Sequence, residues 1–332
     1  MKVDFSIPIG DPLDARETAR QAERDGYDAV WTSEVTYDPF VSLAVAATVT
    51  ERVQLGTAIA VAFARNPMSV AVLGNDLQQL SRGRLLLGLG TQIKAHITRR
   101  FSMPWSQPAK RMREYVLAVR AVWEAWEQGS RLDFRGDFYS HTLMTPMFTP
   151  RPHPYGRPPV LLAGVGPAMT EVAGEVADGF LCHGFTTERY LREVTLPALR
   201  RGRTDLSGFE IVGFPMVATG RTEQALAAAA AGARAQIAFY ASTPAYRGVL
   251  DQHGYGELGE ELHTLSLRGE WARMSELIDD TLLREVCVVG TPEEVAAGLR
   301  TRYGDIFTRA SLYTPSGLDQ ADLAALIGAL RG

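Results

Sequence analysis

Apolar and polar positions alternate in regular blocks along the first third of the chain. Three short apolar runs are each followed by a stretch with helical periodicity, and they span residues 3–7, 29–32 and 53–59. Between each run and its helix stands an Asx-Pro pair, 27 and 28 residues apart: Asp11-Pro12, Asp38-Pro39 and Asn66-Pro67. Asx side chains cap helices and proline fits the first helical turn, so each pair predicts a helix start. Strands that alternate with helices in this way indicate a parallel sheet.

The same alternation continues to the end of the chain. The eight predicted strands are residues 3–7, 29–32, 53–59, 84–89, 159–162, 179–182, 210–217 and 309–314. Before the last strand, Thr291-Pro292-Glu293-Glu294 reads as a capping box that opens a helix. Eight strands with intervening helices favour a (β/α)8 TIM barrel, with a doubly wound sheet as the alternative.

The chain is longer than eight strand–helix units require, and the surplus falls in two excursions. The first, at about 90–159, contains an irregular loop, a helix that Ser106 is expected to cap, and a proline-rich extended stretch. The second, at about 233–285, is expected to be a helical insertion over the barrel mouth, with a helix start at Ser242-Thr243-Pro244. We therefore predict one domain over residues 1–332, with insertions after strand four and between strands seven and eight.

Composition and charge narrow the function classes without changing this fold. The chain has 332 residues, 46% of them hydrophobic, and a formal net charge of −4. This charge argues against a protein that binds nucleic acid mainly through its phosphates. No apolar run approaches the ~18 residues of a membrane span, and Cys182 and Cys287 form neither a disulfide framework nor a CxxC motif. We predict a cytoplasmic protein with no nucleic-acid or membrane partner.

The carboxyl ends of the strands are the places to look for chemistry, because in a barrel they share one mouth. The residues at the ends of strands two to six are Ser33-Glu34, Thr57-Ala58-Ile59, Gly90-Thr91-Gln92, Gly164-Val165-Gly166-Pro167 and Cys182-His183. His183 either lines the pocket or is a hydrogen-bonded core residue. Gly164-Val165-Gly166 directly precedes a helix, so its backbone amides suit a phosphate, with a plain tight turn as the alternative.

A basic stretch accompanies these strand ends. Six cationic side chains and no acidic one lie between residues 94 and 113: Lys94, Arg99, Arg100, Lys110, Arg111 and Arg113. This is a local positive field suited to an anionic ligand, or else a solvated loop and helix start. The six histidines form no HxH or HExxH pattern and there is no GxSxG motif, so the sequence predicts no metal site and no serine nucleophile.

Several strings in chain order carry a resemblance to a known family. They are Val53-Gln54-Leu55-Gly56-Thr57-Ala58-Ile59, Arg65-Asn66-Pro67, Leu80-Ser81-Arg82-Gly83-Arg84-Leu85-Leu86-Leu87-Gly88-Leu89-Gly90, Ala177-Asp178-Gly179 and Val289-Gly290-Thr291-Pro292-Glu293-Glu294. Together with the glycine turn, they resemble the bacterial-luciferase-like superfamily. Within it, the likeness is to the coenzyme F420-dependent oxidoreductases, and it spans nearly the whole chain.

This resemblance implies a barrel that holds a flavin or deazaflavin in its mouth. It implies a non-prolyl cis peptide at Ala58–Ile59 that supports the ring, and a glycine turn that holds the cofactor phosphate. The cofactor-binding residues it suggests are Thr57, Ala58, Ile59, Gly90, Thr91, Gln92, Gly164, Val165, Gly166 and Pro167. The basic stretch would meet the phosphate or the acidic tail of the cofactor.

The reaction implied is hydride transfer between the deazaflavin coenzyme F420 and a small organic substrate. This chain has Gln92-Ile93 and Val35 where several relatives have an acid and a histidine. The candidate catalytic residues are therefore Glu34, Gln92 and His96, with His96 a proton carrier near pH 7. One alternative is an FMN-dependent monooxygenase; another is a cofactor-binding protein with little catalysis. The family also implies a homodimer.

Overall fold

The computed structural model describes residues 1–318 and 320–331. Its strands are β1 Lys2–Ser6, β2 Ala29–Thr32, β3 Gln54–Thr57, β4 Ala60–Val61, β5 Leu85–Gly90, β6 Phe134–Arg135, β7 Ser140–His141, β8 Val160–Gly164, β9 Gly179–Cys182, β10 Glu210–Gly213, β11 Met216–Thr219, β12 Cys287–Gly290 and β13 Arg309–Ser311. Its α-helices are α1 Asp14–Arg24, α2 Pro39–Ala47, α3 Pro67–Leu80, α4 Pro108–Gln128, α5 Pro167–Val176, α6 Glu188–Tyr190, α7 Leu196–Gly202, α8 Glu223–Ala241, α9 Arg247–Asp251, α10 Gly256–Leu267, α11 Trp271–Glu276, α12 Asp280–Val286, α13 Pro292–Tyr303 and α14 Gln320–Arg331.

Eight of these strands close into a parallel barrel. Around the ring the order is β1, β2, β3, β5, β8, β9, β10 and β13, and β13 pairs with β1 to complete the circle. The closing pairs β3–β5 and β1–β13 are both parallel, as are the other six. The predicted TIM barrel is confirmed, and all eight carboxyl ends face one mouth.

The predicted strand boundaries are wrong where the backbone turns out of the sheet. The third strand ends at Thr57, since the Ala58–Ile59 peptide is cis, and pairing resumes in β4. The seventh strand ends at Gly213 because Phe214-Pro215 interrupts it, and proline has no amide hydrogen to donate to a ladder. Beyond it, β11 leaves the barrel and pairs in parallel with β12.

Helix starts follow the predicted side-chain caps in most cases. The side chains of Asp38 and Asn66 accept hydrogen bonds from the amides of Phe40 and Ser69, and Thr291 forms the full capping box. Two predictions are wrong, those for Asp11 and Ser106. Asp11 instead closes a turn by accepting from the Leu13 amide, so that α1 begins only at Asp14. Helix α4 begins at Pro108, after Gln107 in a left-handed conformation.

The two excursions have more regular structure than their sequences indicate. The first contains a π-helical turn, His96–Arg100, and the antiparallel hairpin β6–β7. In the second, Thr243 begins a 3-10 turn, Pro244–Tyr246, and the helices α9 to α12 follow. This second excursion packs with α8, β11 and β12 around an apolar core of its own, which includes Ile237, Leu250 and Leu262.

Side chains alternate between the two faces of each barrel strand, as strand geometry requires. One set packs outward against the helices. The other set fills the barrel interior with Ala29, Trp31, Leu86, Leu161, Leu181 and Val212. Near the amino ends of the strands this interior also holds a buried ion pair. Nε of Arg309 lies 2.7 Å from Oδ2 of Asp4, and the Trp31 indole donates to the same oxygen at 2.9 Å.

Replacing Asp4 with Asn should strongly destabilise the protein, because it leaves the buried Arg309 guanidinium without its charge partner. The expected loss in the free energy of unfolding is about 3–5 kcal/mol, measured by urea denaturation. Lys2→Met is the matched control, since it breaks an exposed ion pair with Glu210 and should cost less than about 1 kcal/mol. A loss below about 1 kcal/mol for Asp4→Asn would show that the interior pair is dispensable.

Candidate active site

The order of strands around the barrel divides the mouth into two arcs. Strands β2, β3, β5 and β8 are consecutive neighbours, so Glu34, Ala58-Ile59, Gly90-Thr91-Gln92 and the 164–167 turn lie along one arc. We call it the first arc. The remaining strands β9, β10, β13 and β1 form the second arc, which carries His183 after β9. The predicted site residues are therefore brought together along one half of the mouth.

The floor of the mouth is apolar. Ala58, Ile59, Ala163 and Phe214 are only partly buried and pack on top of the interior core. The Ala58–Ile59 peptide is cis, as predicted. Gly90 lies directly beside it, because a Cβ on Gly90 would be 2.8 Å from Cδ1 of Ile59. A flat ring laid on this floor would contact apolar side chains.

Glu34 has a different position from that of a free catalytic carboxylate. Its Oε2 accepts hydrogen bonds from the Val61 amide at 2.7 Å and from Nη1 of Arg65 at 2.6 Å. Its side chain is only 7% exposed, and its own amide donates to the Ile59 carbonyl at 3.1 Å. Arg65 is held in turn by Asp38 at 2.7 Å. Glu34 therefore positions the backbone that follows the floor peptide, from Ile59 to Val61.

Thr57 also holds the backbone in place. It is fully buried, and its hydroxyl donates to the Gly88 carbonyl at 2.6 Å and accepts from the Gly88 amide at 2.9 Å. These two bonds join β3 to β5 next to the floor. The Thr57 hydroxyl therefore faces the neighbouring strand, and its contact with the cofactor stays a prediction.

The segment after β5 contains the polar groups that remain available. Gln92 has a left-handed backbone, with φ of 60°, and its Oε1 accepts from the Ile93 amide at 2.9 Å. The side-chain amide of Gln92 has no acceptor among the described residues, so it can donate to a ligand. His96 is exposed on the π-helical turn. Arg100 ties this turn to the β2 loop through the Val35 carbonyl at 2.8 Å.

The glycine turn after β8 has the geometry of an anion cradle. Gly166 is the N-cap of α5, and the amides of Gly166, Ala168 and Met169 donate to no group in residues 1–318 and 320–331. A Cβ on Gly166 would meet nothing within 4 Å, so the space beside it is open. The Tyr190 hydroxyl donates to the Val165 carbonyl at 2.9 Å and holds the turn from below. Free amides and the positive end of a helix dipole favour a phosphate here.

The basic stretch is largely used for structure. Lys110 and Arg113 pair with Asp137 and Glu175 on the surface. Arg111 is buried, with its guanidinium 4.3 Å from the Phe63 ring centroid. The positive field expected from six cations is thus reduced: of these six, only Lys94 and Arg99 are exposed and have no partner among the described residues.

His183 belongs to an aromatic group on the second arc that the sequence did not indicate. Its ring stacks on Tyr246 at a centroid distance of 4.5 Å and meets Tyr240 edge-on at 4.8 Å. Burial lowers the pKa of His183 to about 4, so the ring is neutral at pH 7. Its Nδ1 accepts from the Phe185 amide at 3.0 Å, which places the ring hydrogen on Nε2.

Two more aromatic residues belong to the second arc. Phe214 follows β10 and meets Trp31 edge-on at 6.2 Å, and Tyr313 lies 6.4 Å from Tyr240. The only sequence signals were Pro215, which interrupts a strand, and the density of aromatics at 239–246. Neither signal shows which strand end these side chains approach.

The described residues offer neither a metal site nor a membrane-spanning helix. Across residues 1–318 and 320–331, no three His, Cys, Asp or Glu side chains gather as metal ligands. Within those ranges, no helix has both the length and the apolar character that crossing a bilayer needs. Cys182 and Cys287 are both buried as free thiols.

The closed barrel, the apolar floor and the turn with unpaired amides together define a class of protein: a TIM barrel with these two features at its mouth. The chain belongs to the luciferase-like monooxygenase family, whose model matches residues 7–309. The predicted family is thereby confirmed. The family comprises F420- or flavin-dependent oxidoreductases and monooxygenases.

Individual relatives cover almost the whole chain. An uncharacterized protein of Mycobacterium tuberculosis (strain ATCC 25618 / H37Rv) is 55% identical over 313 residues, 93% of this chain and 92% of that one. The 5,10-methylenetetrahydromethanopterin reductase of Methanolobus tindarius is 26% identical over 330 residues, covering 97% and 96%. The solved coenzyme F420-dependent tetrahydromethanopterin reductase of Methanopyrus kandleri has a TM-score of 0.80, with 20% identity and coverage of 99% and 97%. That likeness shows the fold.

Acid should destabilise the protein partly through His183. Its pKa is 6.5 when unfolded and about 4 when folded, so between these values only the unfolded chain takes up the proton. The contribution of His183 to the free energy of unfolding is fully present above pH 6.5 and falls as the pH drops toward 4. Because of His183, the free energy of unfolding should fall by up to about 2 kcal/mol from pH 7 to pH 5. Urea denaturation at both pH values measures this loss.

His183→Phe should show a smaller loss between pH 7 and pH 5 than the unchanged protein. His96→Gln, at an exposed position, is the control and should leave the loss as it is. An equal loss in the His183 variant and the unchanged protein would contradict the buried, neutral state of this ring.

Proposed function

We propose that this protein is a coenzyme F420-dependent oxidoreductase that transfers a hydride between the deazaflavin and a small organic substrate. The observation that carries the proposal is the first arc. It presents an apolar floor at Ala58-Ile59 after β3 and a phosphate cradle at Gly166 after β8, with β5 between them, as a ring with a phosphate-bearing side chain requires. The F420-dependent reductase among the structural neighbours supports the choice of coenzyme.

The residues of the cradle fit a phosphate. Gly166 has φ of −111°, which any residue adopts, so its lack of a side chain is not a backbone requirement. It leaves room where a Cβ would otherwise stand, and three unpaired amides surround that room. By contrast, a Cβ on Gly164 would lie 3.0 Å from Cγ of Met169, so Gly164 serves packing. We assign the phosphate contact to Gly166 and to the first turn of α5 beyond Pro167.

The floor fits the ring. Ala58 and Ile59 would lie under its face, with Gly90 and Thr91 at its edge and the Gln92 amide as a donor to its polar atoms. The bound deazaflavin would supply the hydride chemistry at its C5 position. This chain's own residues bind, orient and exclude water: Glu34 and Thr57 hold the backbone that forms the floor.

The proton that accompanies the hydride needs a carrier in the mouth. His96 is exposed and unpartnered among the described side chains, so it can exchange protons with solvent and turn inward. We do not assign this role to Glu34, because its Oε2 already accepts from Arg65 and from the Val61 amide. We assign proton delivery to His96 and hydrogen bonding to Gln92.

FMN-dependent monooxygenation is the second candidate function. The family description, luciferase-like monooxygenase, supports it, and FMN carries both a flat ring and a phosphate.

We also propose that the protein acts as a cytoplasmic homodimer, as the family resemblance implies.

Gly166→Val should weaken the binding of F420 at least tenfold, about 1.4 kcal/mol, because the new side chain fills the cradle. Calorimetric titration with F420 measures this change. Thermal unfolding should stay unchanged, since a Cβ at this position meets no protein atom within 4 Å. Gly328→Val is the matched control: it lies on α14, exposed and equally open, and should bind F420 as the unchanged protein does.

Two outcomes would contradict this account. Unchanged F420 affinity in a folded Gly166 variant would show that the turn does not hold the phosphate. Tight binding of FMN by the unchanged protein, with none of F420, would show that the flavin monooxygenase assignment is the correct one.

A further inference from the structure

The second arc of the mouth is walled by aromatic rings from distant parts of the chain. His183 follows β9 and Tyr313 follows β13, while Tyr240 ends α8 and Tyr246 closes the 3-10 turn of the helical excursion. We call these four residues the aromatic wall. Each is partly buried, so each ring keeps an accessible portion. Fully buried Phe185 lies behind them, 6.1 Å from both Tyr240 and Tyr246.

The aromatic wall is continuous with the floor. A Cβ on Gly184 would lie 3.1 Å from the Phe214 carbonyl oxygen and 3.5 Å from the Tyr313 ring. The segment after His183 is therefore in contact with both the floor residue Phe214 and the wall residue Tyr313. A molecule resting on the floor and extending toward β9 would meet the rings of the wall.

The aromatic wall is uncharged. Burial raises the pKa of Tyr246 to about 12 and raises the pKa values of Tyr240 and Tyr313. The His183 ring is neutral, as shown above. Its Nε2 hydrogen has no acceptor in the described part of the chain, since only its Nδ1 is hydrogen-bonded. The wall therefore offers ring faces and neutral donors, namely the tyrosine hydroxyls and the Nε2 hydrogen of His183, and none of its four residues is a cation that could pair with a phosphate or carboxylate.

We propose that the aromatic wall selects an uncharged cyclic carbonyl compound, whose ring packs against Tyr246 and Tyr240 and whose carbonyl oxygen accepts the Nε2 hydrogen of His183. This inference deepens the proposed function and rests on it for the identity of the mouth. Aromatic contacts favour flat apolar rings, and a neutral donor can form a hydrogen bond with a neutral acceptor. An anionic substrate would lose its hydration at this wall without gaining a charge partner.

The test measures binding without coenzyme, so it does not depend on activity. The probes are 1-tetralone, an uncharged bicyclic ketone, and 1-naphthyl phosphate, a charged molecule of similar ring size. Their dissociation constants are measured by ligand-observed NMR. Both probes are titrated against the Gly166→Val variant, because the open cradle of the unchanged protein would itself hold the phosphate ester. We expect 1-tetralone to bind this variant more tightly than 1-naphthyl phosphate does. Tighter binding of the phosphate ester to the variant would overturn the proposal.

Variants separate the roles within the wall. Tyr246→Ala should weaken 1-tetralone binding about tenfold, because the packing ring is lost, and Tyr246→Phe should change it less than twofold. His183→Phe should weaken it about fivefold, a typical hydrogen-bond effect, and His183→Gln, which keeps both an acceptor and a donor, should restore part of the affinity. Trp271→Ala is the control, since this exposed aromatic residue lies outside the wall.

Circular dichroism and thermal unfolding confirm that each variant is folded. If His183→Phe fails to fold, the two Tyr246 variants still test whether the aromatic wall binds 1-tetralone. Unchanged 1-tetralone affinity in folded Tyr246→Ala would overturn the proposal. A separate titration with F420 distinguishes the two hypotheses: wall-dependent binding of 1-tetralone without F420 binding would contradict only the proposed coenzyme.

Discussion

Asp4 on the first strand and Arg309 on the last face each other inside the barrel, and their contact joins the two ends of the sheet. The guanidinium meets the carboxylate at 2.7 and 3.1 Å and also reaches the Gln54 side chain at 3.0 Å. Removing both charges from water is costly, so such a pair persists only when its geometry and hydrogen bonds are good. Because Trp31 donates to the same carboxylate, the pair also orients the largest side chain of the interior.

Everything at the mouth depends on that closure. Once the sheet is a ring, the strand ends become neighbours in a set order, and the first arc collects the floor and the cradle. Residues with conventional catalytic chemistry then take positioning roles, as Glu34 does through Val61 and Arg65. On the opposite side, the helical excursion adds Tyr240 and Tyr246 to the strand-end residues His183 and Tyr313. One side of the mouth is thus formed by strand-end segments alone, and the other by strand-end residues together with side chains from the excursion.

The sequence predicts the barrel well because its signals are local. Apolar runs and Asx-Pro caps reveal strands and helix starts, and the glycine turn is recognisable from three consecutive residues. What it misses depends on contacts between remote residues. Nothing in the sequence around Glu34 indicates that Arg65 will form an ion pair with its carboxylate. The basic stretch likewise cannot reveal that Asp137 and Glu175 will pair with two of its cations. The aromatic wall joins residues from 183 to 313, a separation that no periodicity reports.

The central claim is that the first arc holds a deazaflavin, with its phosphate at the glycine turn and its ring on the floor. A crystal structure of the protein with F420 tests this most directly. The account predicts the phosphate within hydrogen-bond distance of the Gly166, Ala168 and Met169 amides, and the ring against Ala58 and Ile59. A coenzyme phosphate bound away from α5, or a ring that leaves the Ala58–Ile59 peptide uncovered, would contradict it.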